Sequence, residues 1–175
     1  PSNLHYVSVG GYRVAVFYSN NFSTTDQEVL NNPIVFFVTG VGMSPSSLFE
    51  YLEHSFPKYR VVAYDKGSTG LSDNVPSGHK WSYRDAKSVT SEMHTLIHSE
   101  EMQQLLVTNN TGNKKIIFLA GSQGGVMMTN YYYKYSEDVA GIVMMDPSTE
   151  DFYNRAVPMI KFGLNFAPYL YYVAP

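Results

Sequence analysis

Ile116-Ile117-Phe118-Leu119-Ala120-Gly121-Ser122-Gln123-Gly124-Gly125-Val126-Met127-Met128 is the stretch on which the fold turns. The residues up to Ala120 are apolar, and so short a run bounded by glycine suits a strand buried on both faces of a sheet. After Ser122 no proline occurs before Pro147, which leaves room for a helix. A serine between such a strand and helix sits on a sharp elbow in a sparsely populated backbone region, so its neighbours two before and two after must be small. Ala120 and Gly124 meet that requirement, and Gly125 lets the helix start pass close to neighbouring strands. The first helical turn also directs free N–H groups towards the serine, where an oxyanion would develop. Ser122 is therefore the candidate nucleophile. The alternative for the motif by itself is a glycine-rich turn with an incidental serine.

Outward from the elbow, residues 34–38 form a second apolar run ending at Thr39-Gly40-Val41-Gly42. Residues 59–64 form a third, followed by Asp65-Lys66-Gly67-Ser68-Thr69-Gly70-Leu71-Ser72-Asp73. Pro45 opens a helix that places Leu48, Leu52 and Phe56 on one face. Ser82 and Asp85 have capping-box spacing, and the helix beyond them carries Ala86, Val89, Met93, Leu96 and Ile97 and ends near residues 109–113. Residues 139–145 are a last strand before Asp146-Pro147. Near the start, residues 6–9 and 12–17 flank Gly10-Gly11, the signal of a two-residue β-hairpin. Strand alternating with helix from Ile34 onward predicts right-handed βαβ crossovers. The fold class is therefore α/β, a mostly parallel sheet with helices on both faces and an antiparallel hairpin at its N-terminal end.

Composition narrows the function classes. The 175 residues are 44% hydrophobic and 15% charged, which is globular, and a formal net charge of −3 offers no footprint for nucleic acid. Absence of cysteine excludes disulfides, thiolate metal sites and a cysteine nucleophile. Gly67-Ser68-Thr69-Gly70 lacks the lysine and hydroxyl ending of a phosphate loop, and Gly40-Val41-Gly42 lacks the third glycine of a dinucleotide site. His94 and His98 are four apart on a helix with Glu101 near, but Thr95 stands where a zinc-protease helix carries glutamate. They are read as a solvated helix face. No metal and no cofactor is expected.

The motifs in their order, Gly10-Gly11-Tyr12-Arg13, Thr39-Gly40-Val41-Gly42, Tyr64-Asp65 to Leu71-Ser72-Asp73, Ala-Gly-Ser-Gln-Gly-Gly at 120–125 and the strand before Asp146-Pro147, resemble the α/β-hydrolase fold. The likeness spans about residues 5–150. It implies a serine hydrolase that cleaves an ester-like or amide-like bond of a small molecule through an acyl-serine intermediate. Ser122 would be the nucleophile, the Gln123 N–H one oxyanion donor, and Val41 or Gly42 the second. Residues 1–147 would be the N-terminal part of the hydrolase core and residues 148–175 the start of a lid. Met159, Phe162, Phe166 and Tyr169 would give that lid an apolar lining, a surface that also suits ordinary core packing or contact with a membrane surface or a partner.

The base is the expected gap. A serine hydroxyl needs a neighbouring base, and the resemblance puts the histidine after the last strand. The five histidines, His5, His54, His79, His94 and His98, all precede Ser122. The chain by itself is expected to be inactive, with the leading proline pointing to a longer polypeptide. Asp146 has two readings, the acid of a triad or a loop anchor. Two further parallel strands of the family would follow the strand at 139–145, and without them an apolar edge is left for the remainder of the polypeptide or another subunit to cover. The alternative function is a non-catalytic structural or binding subunit of the same fold, motivated by Ala120, Gly121 and the histidine positions.

Overall fold

A computed structural model describes residues 3–40, 42–106 and 116–148. At its centre are β3 (Ile34–Val38) and β4 (Arg60–Tyr64), buried along their full length, with β5 (Ile116–Gly121) beside β3. Their β-branched and aromatic side chains suit a pleated surface covered on both sides. The sheet has six strands in the order β1-β2-β4-β3-β5-β6, where β1 is Leu4–Ser8, β2 is Arg13–Tyr18 and β6 is Val139–Met145. β1 and β2 are antiparallel, β2 joins β4 antiparallel, and β4, β3, β5 and β6 run parallel. The hairpin turns at Gly10 and Gly11, whose φ of +64° and +108° a side chain would resist.

Alternation along β3 divides the core. Ile34, Phe36 and Val38 face α3 (Ala86–Ile97), α4 (Glu100–Leu106) and α5 (Gly124–Tyr135), while Val35 and Phe37 face α2 (Phe49–Ser55). Phe36 lies between Tyr64 and Phe118 with ring centroids 5.8 and 5.6 Å away, a spacing at which tilted aromatic pairs attract. The α/β class, the hairpin and the parallel core are as the apolar runs predict.

Local details differ. Asp85, not Ser82, caps α3, accepting from Ser88 N at 2.6 Å. That helix does not continue to residue 109: it breaks at His98, and the Ser99 hydroxyl bonds back to Leu96 O at 2.8 Å before α4 begins. Pro45 starts a 3₁₀ turn instead of the helix itself, so Leu48 is exposed and Phe49 with Leu52 carries the buried face. A short helix α1 (Gln27–Asn31), capped by Asp26, precedes β3. β6 is the outer strand of the described sheet, and its Val143, Met144 and Met145 are 50%, 42% and 42% exposed. Among the described residues no helix is long and apolar enough to cross a membrane. The segment read as a lid lies, beyond Ser148, outside the described residues.

Candidate active site

Chain direction across the sheet locates the crevice. From β3 the chain moves to β4 on one side, then returns to the other side of β3 as β5. Between the C-terminal ends of β3 and β5 the connections diverge, and open α/β sheets bind ligands at such a point. Val38 and Ala120 are register partners there, so Thr39-Gly40 and Gly121-Ser122 leave the sheet side by side.

Ser122 occupies the left-handed region at φ +52°, and its residue is exposed. The elbow is held on both sides. Ser122 N donates to Met145 O at 3.3 Å, and Ser122 O accepts from Ser148 N at 2.8 Å and Gly125 N at 3.0 Å. A Cβ on Gly124 would stand 2.5 Å from Val38 O, and one on Gly125 would stand 2.5 Å from Pro147 Cβ. These two glycines let α5 start against the ends of β3 and β6. Ala120, the small residue on the strand side, is fully buried.

Over the serine runs the backbone that follows β3. A Cβ on Gly40 would come within 3.1 Å of Ser122 Cβ and 3.3 Å of its Oγ. Gly42 (φ +65°) and Gln123 line one cleft with Lys66, Ser68, Arg84 and Met127, about 160 Å³ in volume. Val41, read with them as an oxyanion donor, lies outside the described residues.

Lys66 has no counterpart in the sequence reading. Its residue is 5% exposed, and its Nζ donates to Thr39 Oγ1 at 2.6 Å, Gly40 O at 3.0 Å and Thr39 O at 3.3 Å. Three bonds from one ammonium fix the loop over Ser122. Burial lowers the Lys66 pKa to about 8, against the pull of Glu92 and Asp65. Deeper in, Glu92 of α3 is fully buried and accepts from Arg84 Nη2 at 2.9 Å, Gly67 N at 3.2 Å and the Tyr12 hydroxyl. Burial opposes the Arg84 charge, but the contact with Glu92 outweighs it and raises the Arg84 pKa. Burial together with Glu92 drives the Tyr12 pKa upward, so its O–H remains a donor. This cluster ties β2, the loop after β4 and α3 together behind the cleft. Asp65 and Gly70 shape the same loop: Asp65 Oδ2 accepts from Leu71 N at 2.7 Å, and a Cβ on Gly70 would strike that carboxylate.

All five imidazoles lie among the described residues, and none of them is hydrogen-bonded to Ser122 Oγ. His54 Nδ1 bonds Glu50 O at 2.7 Å, and His79 Nε2 bonds Gly10 O at 2.9 Å. His98 Nε2 donates to Asp138 at 3.0 Å, while His94 lies beside Tyr131 and Asp138. His5 is exposed on the outer strand β1. Burial, with His98 next to it, lowers the His94 pKa despite Asp138. Asp146 is exposed just beyond β6 at φ +45°.

Residues 32–167 match the family described as alpha/beta hydrolase fold. No curated protein sequence is significantly similar. Among solved structures, a proline iminopeptidase-related protein from Thermus thermophilus is similar with a TM-score of 0.61 at 19% identity, over 83% of this chain and 44% of its own. A putative aryl esterase from Burkholderia cenocepacia has a TM-score of 0.60 at 21% identity, over 83% and 47%. A predicted CIB-like hydrolase from Thermoplasma acidophilum has a TM-score of 0.60 at 17% identity, over 84% and 63%. The chain thus spans less than two thirds of the length of each.

Proposed function

Because the chain belongs to the alpha/beta hydrolase fold family, we propose that its parent polypeptide is a serine hydrolase acting on a small ester-like or amide-like substrate. The observation carrying this reading is Ser122 at φ +52° on the elbow between β5 and α5, a conformation costly for a residue with a Cβ, with the Gly40 backbone passing over its hydroxyl.

In the proposed reaction, Ser122 Oγ adds to the substrate carbonyl carbon while its proton passes to a base. The carbonyl oxygen becomes an oxyanion, stabilised by the Gln123 N–H and by an N–H of Gly42 or Val41. Collapse expels the alcohol or amine, which takes up the proton, and leaves acyl-Ser122; water then releases the acid by the reverse proton route. Fixed donors accelerate this chemistry because they meet charge that appears only in the tetrahedral state. Lys66 serves by holding the Thr39-Gly40 carbonyls, and so the loop, in place.

The base is a histidine from polypeptide beyond these residues, a reading supported by the positions of the five imidazoles. Asp146, at φ +45° just beyond the C-terminal end of β6, stands where either a triad acid or a loop anchor would. In this reading further polypeptide covers the apolar edge of β6, where Val143, Met144 and Met145 are exposed. A fluorophosphonate probe tests the proposal: labelling of Ser122 in the folded parent protein supports hydrolysis. Failure to label there supports the non-catalytic subunit, whose β6 edge would be completed by a partner.

A further inference from the structure

At the far end of the sheet from Ser122, α3 and the turn before β6 bring together groups that the proposed reaction does not use. His94 and His98 lie on successive turns at the end of α3, their ring centroids 4.3 Å apart. The third group is not Glu101 but Asp138, 40 residues beyond His98 and immediately before Val139 of β6. We propose that His94 Nδ1, His98 Nε2 and the Asp138 carboxylate form a binding site for a divalent transition-metal ion of the zinc type.

The spacing of the donors supports this. Ligand atoms of the three residues all lie within 4.8 Å of one another. In a tetrahedral site with bonds of about 2.0–2.1 Å, donor atoms stand about 3.3 Å apart. His94 Nδ1 is 3.3 Å and His98 Nε2 is 3.0 Å from the same oxygen, Asp138 Oδ2. That oxygen also accepts the Tyr131 O–H at 2.6 Å. His98 Nε2 also lies 3.1 Å from Asp138 Oδ1, and His94 Nδ1 lies 3.4 Å from the Tyr131 hydroxyl, so both ring nitrogens stand around one carboxylate. A cation would take the lone pairs of both imidazoles and one carboxylate oxygen, with Tyr131 retained as the partner that orients Asp138.

The surroundings fix the ligands and leave an approach. Tyr135 stacks on His94 at 3.6 Å with an interplanar angle of 3°, and Tyr131 is fully buried. The side chains of His94, His98 and Asp138 are 27%, 46% and 12% exposed, so an ion has access and a fourth position can face water. Two imidazoles and one carboxylate select zinc, copper, nickel or cobalt over magnesium or calcium, which prefer all-oxygen sites. β6 separates the site from Asp146 by its seven residues, about 23 Å at strand rise, so the ion has no place in the chemistry at Ser122. Its effect would be to clamp the end of α3 to the turn that leads into β6.

The test is calorimetric titration of the folded parent protein, without a histidine tag, with Zn²⁺, repeated optically with Co²⁺, and thermal melting with and without zinc. The expected result is one ion per chain, a tetrahedral cobalt spectrum, and a melting temperature raised by about 5–10 °C at a hundredfold excess over Kd. His98→Gln, at an exposed helix end, and Asp138→Asn should each weaken binding at least about tenfold and cut the shift by half or more, and Tyr131→Phe should weaken binding by about tenfold. His54→Gln should change nothing. Absence of uptake by the folded parent protein would overturn the proposal. So would uptake that persists in a His98→Gln variant whose circular dichroism matches the wild type, or uptake lost in His54→Gln.

Discussion

Gly124→Ala separates the elbow geometry from an ordinary helix start. In an unobstructed helix this substitution stabilises by up to about 1 kcal/mol, since alanine loses less backbone freedom on folding. Here the added methyl would stand 2.5 Å from Val38 O and 3.3 Å from Val38 C, both backbone atoms of the central strand β3. Backbone cannot swing aside as a flexible side chain can, so the overlap falls at the upper end of overpacking costs, about 3 kcal/mol. The balance is a loss of about 2 kcal/mol, or about 4–8 °C in melting temperature for a chain of this size. Gly141→Ala in β6 is the control, since no heavy atom lies within 4 Å of its added Cβ. It should be neutral or stabilising by about 0.5–1 kcal/mol. Urea and thermal unfolding, followed by circular dichroism, read both variants. A Gly124→Ala protein melting at or above the wild type would refute the claim that α5 begins against the end of β3.

Two other perturbations probe the same site. Ser122→Gly should be about 0.5–1 kcal/mol more stable than Ser122→Ala in urea unfolding. Relief of the left-handed strain of about 1–2 kcal/mol exceeds the added unfolded-state entropy of about 0.4–1 kcal/mol, and equal stabilities would remove the strain from the account. Lys66, whose folded pKa of about 8 lies below its ordinary value of 10.5, binds fewer protons folded than unfolded between those values. Its burial therefore destabilises most below pH 8, and stability should rise as pH increases from about 8 to about 10.5. Lys66→Met should flatten that rise relative to wild type in unfolding titrations, and parallel curves would contradict a buried ammonium.

The strands were legible because an apolar run as short as 34–38 or 116–120, ended by glycine or threonine, has few other uses. The elbow was legible for the same kind of reason: Ala120, Ser122 and Gly124 carry their steric demand in their own residue types. Local competition hid the finer boundaries. Asp85 displaced Ser82 as the cap, and the Ser99 hydroxyl offered Leu96 O an alternative to continued helix. The partners of Lys66 and Glu92 could not be read from spacing, because Tyr12 meets Glu92 across 80 residues and Lys66 meets Thr39 across 27. A lysine directly after Asp65, at the C-terminal end of a parallel strand, was the one available signal. Asp138 escaped notice for a similar reason: only the packing of α3 against α5 and the turn after it brings it to His98.

The proposal that Ser122 is the nucleophile is best decided by mass spectrometry after fluorophosphonate treatment of the folded parent protein. The expected outcome is a single adduct on the peptide carrying Ser122, absent from Ser122→Ala. An unmodified Ser122 in parent protein shown to be folded, or an adduct that survives Ser122→Ala, would contradict it.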